Sequence, residues 1–194
     1  LDLPVFLYAE AATNPNRVNL PNIRRGEYEG MEEKLSNPDW APDFGPAEFK
    51  PKMGVTATGA RQILIAYNVN LDTDVKAKAN SIAARIRTSG SLVKDENGEK
   101  ILGDDGKPLR KPGLFKSLQA AGWMYDESTA QVSMNLLDFS VTGLHDVTEA
   151  IRNEAKVMGL NATAGELVGL VPLEAMLSAG RWYEDNDEDA DHTL

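Results

Sequence analysis

Along the last two thirds of the chain the apolar positions recur with two periods, and the switches between them predict the elements. Gln62–Leu71 reads as a strand, apolar on one face throughout and partly on the other. Val75, Ala79, Ile82, Ala83 and Ile86 then fall at helical spacing, which predicts a helix from Asp74 to about Thr88. Asp72 or Thr73 can cap it, and Gly90 stops it. Phe115–Tyr125 and Ala130–Phe139 are strand-like, and the short link Asp126–Thr129 makes them a hairpin. Leu144, Val147, Ile151, Ala155 and Met158 predict a helix over Gly143–Met158, ended by Gly159. Ala162–Val168 is a last strand. Pro172 opens a final helix that carries Leu173, Met176, Leu177 and Trp182.

The order strand, helix, strand, strand, helix, strand predicts an α+β class. Its expected form is a ferredoxin-like βαββαβ lobe, an antiparallel sheet with both helices on one face. Residues 91–112 interrupt it with a glycine-rich, charged stretch. Asn97-Gly98 and Asp105-Gly106 are hairpin turn signals there, so the stretch is expected to be a mobile, dispensable surface hairpin.

The first third is less regular. Val5–Ala9 is a short strand after Pro4, Asn14-Pro15-Asn16 marks a turn, and Pro21–Leu35 can form a short helix. Pro38, Pro42, Pro46 and Pro51 forbid regular structure beyond it. With Gly45, Gly54, Phe44 and Phe49 they describe a shaped loop over Pro42–Gly54, with few accessible conformations. Such a loop is either a rigid connection or a place where binding residues gather. One strand and one short helix cannot bury a core, so residues 1–55 are expected to accompany a second domain over 56–183, with an acidic tail at 184–194. The chain opens at Leu1-Asp2-Leu3-Pro4 without methionine and is expected to be part of something longer.

Composition narrows the chemistry. Hydrophobic residues make up 42% of the 194 and charged residues 26%, as in soluble globular proteins. There is no cysteine, so disulfides, zinc–thiolate sites and thiol nucleophiles are excluded. A net charge of −10 argues against nucleic-acid or membrane-surface partners. No apolar run is long enough to span a bilayer, no secretory leader pattern is visible, and a cytoplasmic location is expected.

Catalytic signatures are missing. No P-loop, G-x-G-x-x-G or G-x-S-x-G occurs, and no spacing singles out a triad. His145 falls in the first turn of an amphipathic helix, where packing or solvation explains it. His192 directly follows the acidic run Asp185–Asp191, which lacks the glycine and distal glutamate of a calcium loop, so no metal is expected. What stands out is local charge. Arg24, Arg25, Lys50, Lys52 and Arg61 cluster around the shaped loop of an acidic chain, where they either suit an anionic ligand or balance Glu27, Glu29, Glu32 and Glu33. Trp40, Phe44 and Phe49 could offer flat surface to a ring, or simply pack.

The residues also carry a resemblance. Leu7–Ala12, Leu20–Glu29, Trp40–Pro46, Gly54–Arg61, Tyr67–Leu71, Gln131–Phe139 and Leu167–Pro172 resemble, in order, segments of the formiminotransferase domain. The likeness runs over roughly residues 3–183, and the 91–112 excursion looks longer than in the animal enzymes. It implies transfer of a formimino group from N-formimino-L-glutamate to N5 of tetrahydrofolate, the co-substrate, in histidine breakdown. Two α/β lobes would enclose a folate tunnel, and the domain would pair as a homodimer. This chain would hold the end of the first lobe and most of the second.

The family's folate-binding segment matches Gly45, Pro46, Ala47, Glu48, Phe49, Lys50, Pro51, Lys52, Met53 and Gly54. The animal enzymes carry tryptophan where Met53 stands. The family's catalytic histidine lies upstream of anything aligned with Leu1, so no catalytic residue is assigned here and the missing lobe is an implied partner. The competing expectation is a non-catalytic folate-binding or dimerisation module.

Overall fold

A computed structural model describes residues 2–186 of the chain; His192 and residues 187–194 of the acidic tail lie outside the described residues. The fold is α+β and divides into two compact units, Leu1–Gln62 and Ile63–Leu194.

In the first unit, β1 (Val5–Ala9) and β2 (Thr56–Ala60) pair in parallel. The pattern of apolar positions gave no hint of β2, because all of Thr56–Ala60 is exposed and therefore shows no alternation. The helix expected over Pro21–Leu35 is two: α1 (Leu20–Arg24) and α2 (Met31–Ser36). Gly26 at φ +88° and Glu27 at φ +50° break the helical path between them. The Lys34 ammonium, on α2, donates to the carbonyls of Asn22, Ile23 and Arg25, and so satisfies the orphan acceptors at the end of α1. Phe6, Ile23, Met31 and Leu35 make a small buried cluster, joined by Tyr8, Trp40, Phe49 and Val55. The added strand and second helix are what let so short a segment bury one.

In the second unit the elements are β3 (Ile65–Leu71), α3 (Lys76–Ile86), β4 (Ser91–Leu92), β5 (Arg110–Lys111), β6 (Leu118–Met124), β7 (Ala130–Leu136), α4 (Leu144–Val157), β8 (Ala162–Val168) and α5 (Leu173–Asp185). Four strands form an antiparallel sheet in the order β6-β7-β3-β8. Strand side chains alternate between faces. Ile65, Tyr67, Val69 and Leu71 of β3 are accordingly buried, while Ala66, Asn68 and Asn70 stand on the other side. The helices bury Ala79, Ile82, Ala83 and Ile86 of α3 and Leu144, Val147, Ile151 and Ala155 of α4 in the same core. These are the predicted helical stripes less their ends: Val75 precedes α3 and is 42% exposed, and Met158 follows α4 and is only partly buried. α5 adds Ala175 and Ala179, and its Tyr183 hydroxyl donates to Glu149 at 2.9 Å.

Helix α3 starts later than expected. Asp72 does not cap it; its carboxylate accepts from the backbone and side-chain amides of Asn161, both at 2.7 Å. The backbone amide of Asn161 is the main cause that draws the Asp72 pKa below its ordinary value. Residues 91–112 form the expected hairpin, with β4 and β5 paired antiparallel and isolated bridges between Lys94 and Lys100 and between Leu102 and Pro108.

The edge strand β6 lies close against α3. The Gly122 amide donates to Asn80 Oδ1 at 2.8 Å, and a Cβ on Gly122 would stand 2.4 Å from the Asn80 backbone nitrogen. Backbone cannot yield as a side-chain tip can. The Gly122→Ala variant should therefore lose about 1–3 kcal/mol of stability, read from urea unfolding; an unchanged midpoint would show that α3 does not sit this close.

Candidate functional site

The shaped loop is fixed at its start by a buried ion pair. Asp43 Oδ2 accepts from the Arg17 guanidinium at 2.6 Å and from the backbone amide of Leu7 at 2.7 Å, while its Oδ1 accepts from Thr13. Both partners are buried, their side chains 6% and 5% exposed. Arg17 also donates to the Ala41 carbonyl at 2.5 Å and lies over the Phe6 ring, 5.3 Å from its centroid. Backbone pairing continues the anchor, with Val5 N–H to Phe44 O at 2.8 Å and Asp43 N–H to Val5 O at 2.9 Å. Gly45 follows at φ +79°, and a Cβ there would fall 1.9 Å from the Leu3 carbonyl oxygen. Only glycine fits.

Neither Arg17 nor Asp43 stood out in the sequence. The signals were slight: Arg17 follows Asn14-Pro15-Asn16, whose Asn14 caps a short 3-10 turn over Pro15–Arg17, and Asp43 sits between Pro42 and Phe44.

Past Gly45 the loop runs exposed through Ala47 and Glu48, with Pro46 half-buried. Phe49 turns inward and meets Tyr28 edge to face at 5.4 Å. Met53 and Gly54 both donate to the Lys50 carbonyl, at 2.9 and 2.8 Å, closing a turn around Pro51 and Lys52. The Tyr28 hydroxyl donates to the Pro51 carbonyl at 2.6 Å, which fixes this turn against the segment between α1 and α2. There the loop walls a groove of about 380 Å³, lined by Arg24, Glu27, Tyr28 and Met31 on one side and by Lys52, Met53 and Gly54 on the other; the Glu27 carboxylate pairs with Arg24 at 3.5 Å.

The basic cluster separates in the structure. Arg24 and Lys52 flank the groove, and Lys52 has no ion pair or hydrogen bond among the described residues. Arg25 lines a neighbouring groove with Arg24. Lys50 turns away to Asp2, donating to its carboxylate at 2.7 Å and its carbonyl at 3.0 Å. That hydrogen bond raises the Lys50 pKa and lowers that of Asp2. Arg61 bonds the neighbouring Gln62 carbonyl. Of the aromatics, Trp40 packs edge to face on Phe6 and Phe49 packs on Tyr28, while Phe44 remains 62% exposed.

His145 has a structural place. Its ring stacks on Trp182, centroids 5.2 Å apart and planes 17° from parallel, and Nε2 lies 3.4 Å from Asp146. Among the described residues no group of three or more His, Cys, Asp or Glu could hold a metal, and no helix is long and apolar enough to cross a membrane.

Asp43 sets a testable dependence. Burial alone would raise its pKa, but the hydrogen bonds from Thr13, Leu7 and Arg17 and the Arg17 charge outweigh it and hold the group below 3.8. A depressed carboxylate stabilises above its unfolded pKa and loses that contribution as pH falls through the folded value. Asp43→Ala leaves Arg17 buried without its counter-charge, which should cost about 3–5 kcal/mol at pH 7 in urea unfolding. The gap to wild type should narrow below pH 3.8; a gap independent of pH would contradict the role of the charge.

Comparison with known sequences places this geometry in a family. The profile described as formiminotransferase domain matches residues 66–192, and that of the formiminotransferase domain N-terminal subdomain matches residues 1–61. The chain is 46% identical over 189 residues to the formimidoyltransferase-cyclodeaminase of Mus musculus, covering 97% of this chain and 32% of that protein. It is 45% identical over 184 residues to the protein of the same name from Dictyostelium discoideum, covering 94% of this chain and 31% of that one. To the glutamate formimidoyltransferase of Streptococcus pyogenes serotype M1 it is 41% identical over 184 residues, 94% of this chain and 54% of that protein. The chain thus spans about a third to a half of the length of these relatives. By both profiles and by identity over nearly its whole length, it belongs to the formiminotransferase family.

Proposed function

We propose that this chain is the part of a glutamate formimidoyltransferase that supplies a folate-binding wall. The reaction moves the formimino group of N-formimino-L-glutamate to N5 of tetrahydrofolate and releases glutamate, in histidine catabolism. The observation that carries the reading is the groove beside the matched loop, where Lys52 and Arg24, the latter paired with Glu27, stand over a lining that includes Tyr28, Met31 and Met53. A folate presents that pair of properties in one molecule, a flat ring system and a glutamate tail bearing carboxylates. Cations held at a shaped loop recognise the tail, and the aromatic and thioether surface takes the rings. The anchored loop arrives at the ligand with little entropy left to lose.

The chemistry needs more than a wall. N5 attacks the formimidoyl carbon, the bond from that carbon to the glutamate nitrogen breaks, and a proton passes from N5 to the leaving amine. A side chain that carries this proton must reach both nitrogens. His145 is committed to its stack with Trp182 and to Asp146. The proposal therefore gives His145 no part in the chemistry and takes the proton shuttle from the first-lobe histidine that the family resemblance implies, so that the chain alone is expected to bind without turning over.

The same placement of His145 favours a second reading, a folate-binding or dimerisation module that does no chemistry. The strand order β6-β7-β3-β8, with α3 and α4 in one core, supports the ferredoxin-like form of the second unit. A homodimer in the cytoplasm is part of the proposal and rests on family membership.

The test separates two lysines that are close in sequence. Lys52→Ala should weaken tetrahydrofolate binding about tenfold in calorimetric titration, the worth of a lost hydrogen bond to a charged group. Lys50→Ala, whose ammonium faces Asp2, should stay within roughly twofold, as expected for an exposed pair. Equal affinity for wild type and Lys52→Ala would remove the groove from the site. Full transferase turnover by the 194-residue chain alone would refute the need for an upstream histidine.

A further inference from the structure

The two tight turns of the 91–112 stretch share a backbone and differ in one functional group. They join three short segments that close on one another. The Val93 amide donates to the Leu109 carbonyl at 2.9 Å, the Leu109 amide to that of Ile101 at 2.8 Å, and the Ile101 amide to that of Val93 at 3.1 Å. In the first turn the Gly98 amide donates to the Asp95 carbonyl at 3.0 Å and the Asp95 amide to the Glu99 carbonyl at 2.9 Å. In the second, Gly106 donates to the Gly103 carbonyl at 2.9 Å and Gly103 to the Lys107 carbonyl at 2.8 Å. Gly98 and Gly106 take the left-handed φ values +82° and +72° that glycine tolerates. A Cβ on either would meet nothing within 4 Å. Asn97 precedes the first glycine and Asp105 the second.

Asn97 is the one asparagine of the chain that a glycine follows. It is exposed, and among the described residues its carboxamide makes no hydrogen bond. Only its backbone amide is engaged, donating to Asp95 Oδ1 at 2.9 Å. Glycine brings no side chain to shield its own nitrogen, so the Gly98 nitrogen can close a five-membered ring on the carbonyl carbon of the Asn97 side chain. Asp105 has the same reach, but both its oxygens are held. Oδ1 accepts from the Lys107 amide at 3.0 Å, and Oδ2 lies 3.3 Å from the Lys107 ammonium. The hydrogen bond from the Lys107 amide is the main cause that draws the Asp105 pKa below its ordinary value. The group therefore stays ionised at neutral pH, and a carboxylate repels an incoming anionic nitrogen and offers no leaving group.

We propose that Asn97 is a site of spontaneous covalent modification, losing ammonia by ring closure with Gly98 and ending as aspartate or isoaspartate, while Asp105 is spared. Hydroxide removes the Gly98 amide proton, the nitrogen attacks Asn97 Cγ, and the Cγ–Nδ2 bond breaks. The departing nitrogen takes a proton from water and leaves as ammonia. Water then opens the succinimide. Attack at Cγ restores the main chain with an aspartate side chain. Attack at the backbone carbonyl carbon of position 97 leaves isoaspartate, with the main chain running through Cβ and Cγ. Nothing is oxidised or reduced, and the sum is one water consumed and one ammonia released. The first step needs the Gly98 amide to leave the Asp95 carbonyl, a local opening of the kind exposed turns undergo at small cost. Either product sets a further negative charge beside Asp95, Glu96 and Glu99. Isoaspartate also lengthens the turn, so the bonds of Gly98 and Glu99 to Asp95 are lost. This chemistry does not depend on the transfer reading.

The experiment incubates the 194-residue chain in warm, mildly alkaline buffer, both folded and unfolded in urea, and maps it by mass spectrometry with separation of isoaspartyl peptides. The peptide that holds Asn97 should gain the mass of an amide-to-acid exchange and split into two products, at a rate proportional to hydroxide. The peptide that holds Asp105 should stay a single species. In the folded chain the backbone amide resonances of Asp95–Glu99 should shift as product accumulates, while those of Gly103–Lys107 hold. Asn97→Gln, which would have to close a larger ring, should lose the product. Its unfolding midpoint should not change, because no residue of this turn belongs to a buried core. A folded chain that stays unconverted overturns the inference, since the turn then protects Asn97. Isoaspartate appearing at Asp105 as fast as at Asn97 overturns it too, as does an undiminished mass gain in Asn97→Gln.

Discussion

The candidate site depends on one buried ion pair. Arg17 and Asp43 lie in a unit too small to shield many charges, yet both are almost wholly withdrawn from water. Two charges brought inside cost more than their attraction returns unless further hydrogen bonds satisfy them. Here the Leu7 amide, the Thr13 hydroxyl and the Ala41 carbonyl do so for all but the Arg17 Nε, which is buried with no hydrogen-bond partner among the described residues, and each belongs to a different stretch of chain. The pair therefore acts less as a source of net stability than as a geometric lock. It fixes where the loop passes beside β1, and Gly45 then turns it where no other residue could. From that point the path to the groove at Lys52 is short and leaves little freedom.

The second unit solves a different problem. Its core is an ordinary one, a sheet face and two helical stripes of Ala, Ile, Leu and Val. What distinguishes it is the face that the core does not use. A strand exposed on one side normally carries threonine or charged residues there, which suit the pleat and water alike. Asn68, Asn70, Gln131 and Glu166 instead bond to one another, which fixes their orientations.

How much of this was legible in the sequence follows from the physics of each element. β3, β7, β8, α3 and α4 are periodic because one side of each is buried, and burial writes the period. β2 leaves no such trace: Thr-Ala-Thr-Gly-Ala is exposed along its length, and only pairing with β1 makes it a strand. The break between α1 and α2 was visible as Gly26 and Gly30, but apolar residues at Ile23, Met31 and Leu35 bridged it with a plausible helical spacing. For the site, residue type told of the cations but not of their aim. Lys50 and Lys52 look alike in the sequence, and only the turn closed on the Lys50 carbonyl sends one to Asp2 and the other to the groove. Arg17, Asp43 and Glu166 were hidden for the same reason, since a single charge gains meaning from partners far along the chain.

The central claim is that the loop anchored by Asp43 is a folate-binding surface. Hydrogen–deuterium exchange of the 194-residue chain with and without tetrahydrofolate tests it most directly. The account predicts slowed exchange at the amides of Met53 and Gly54, which close the turn beside the groove, and at Lys52 just before them. Saturating ligand that leaves residues 45–54 exchanging at the free rate, with protection elsewhere, would contradict it.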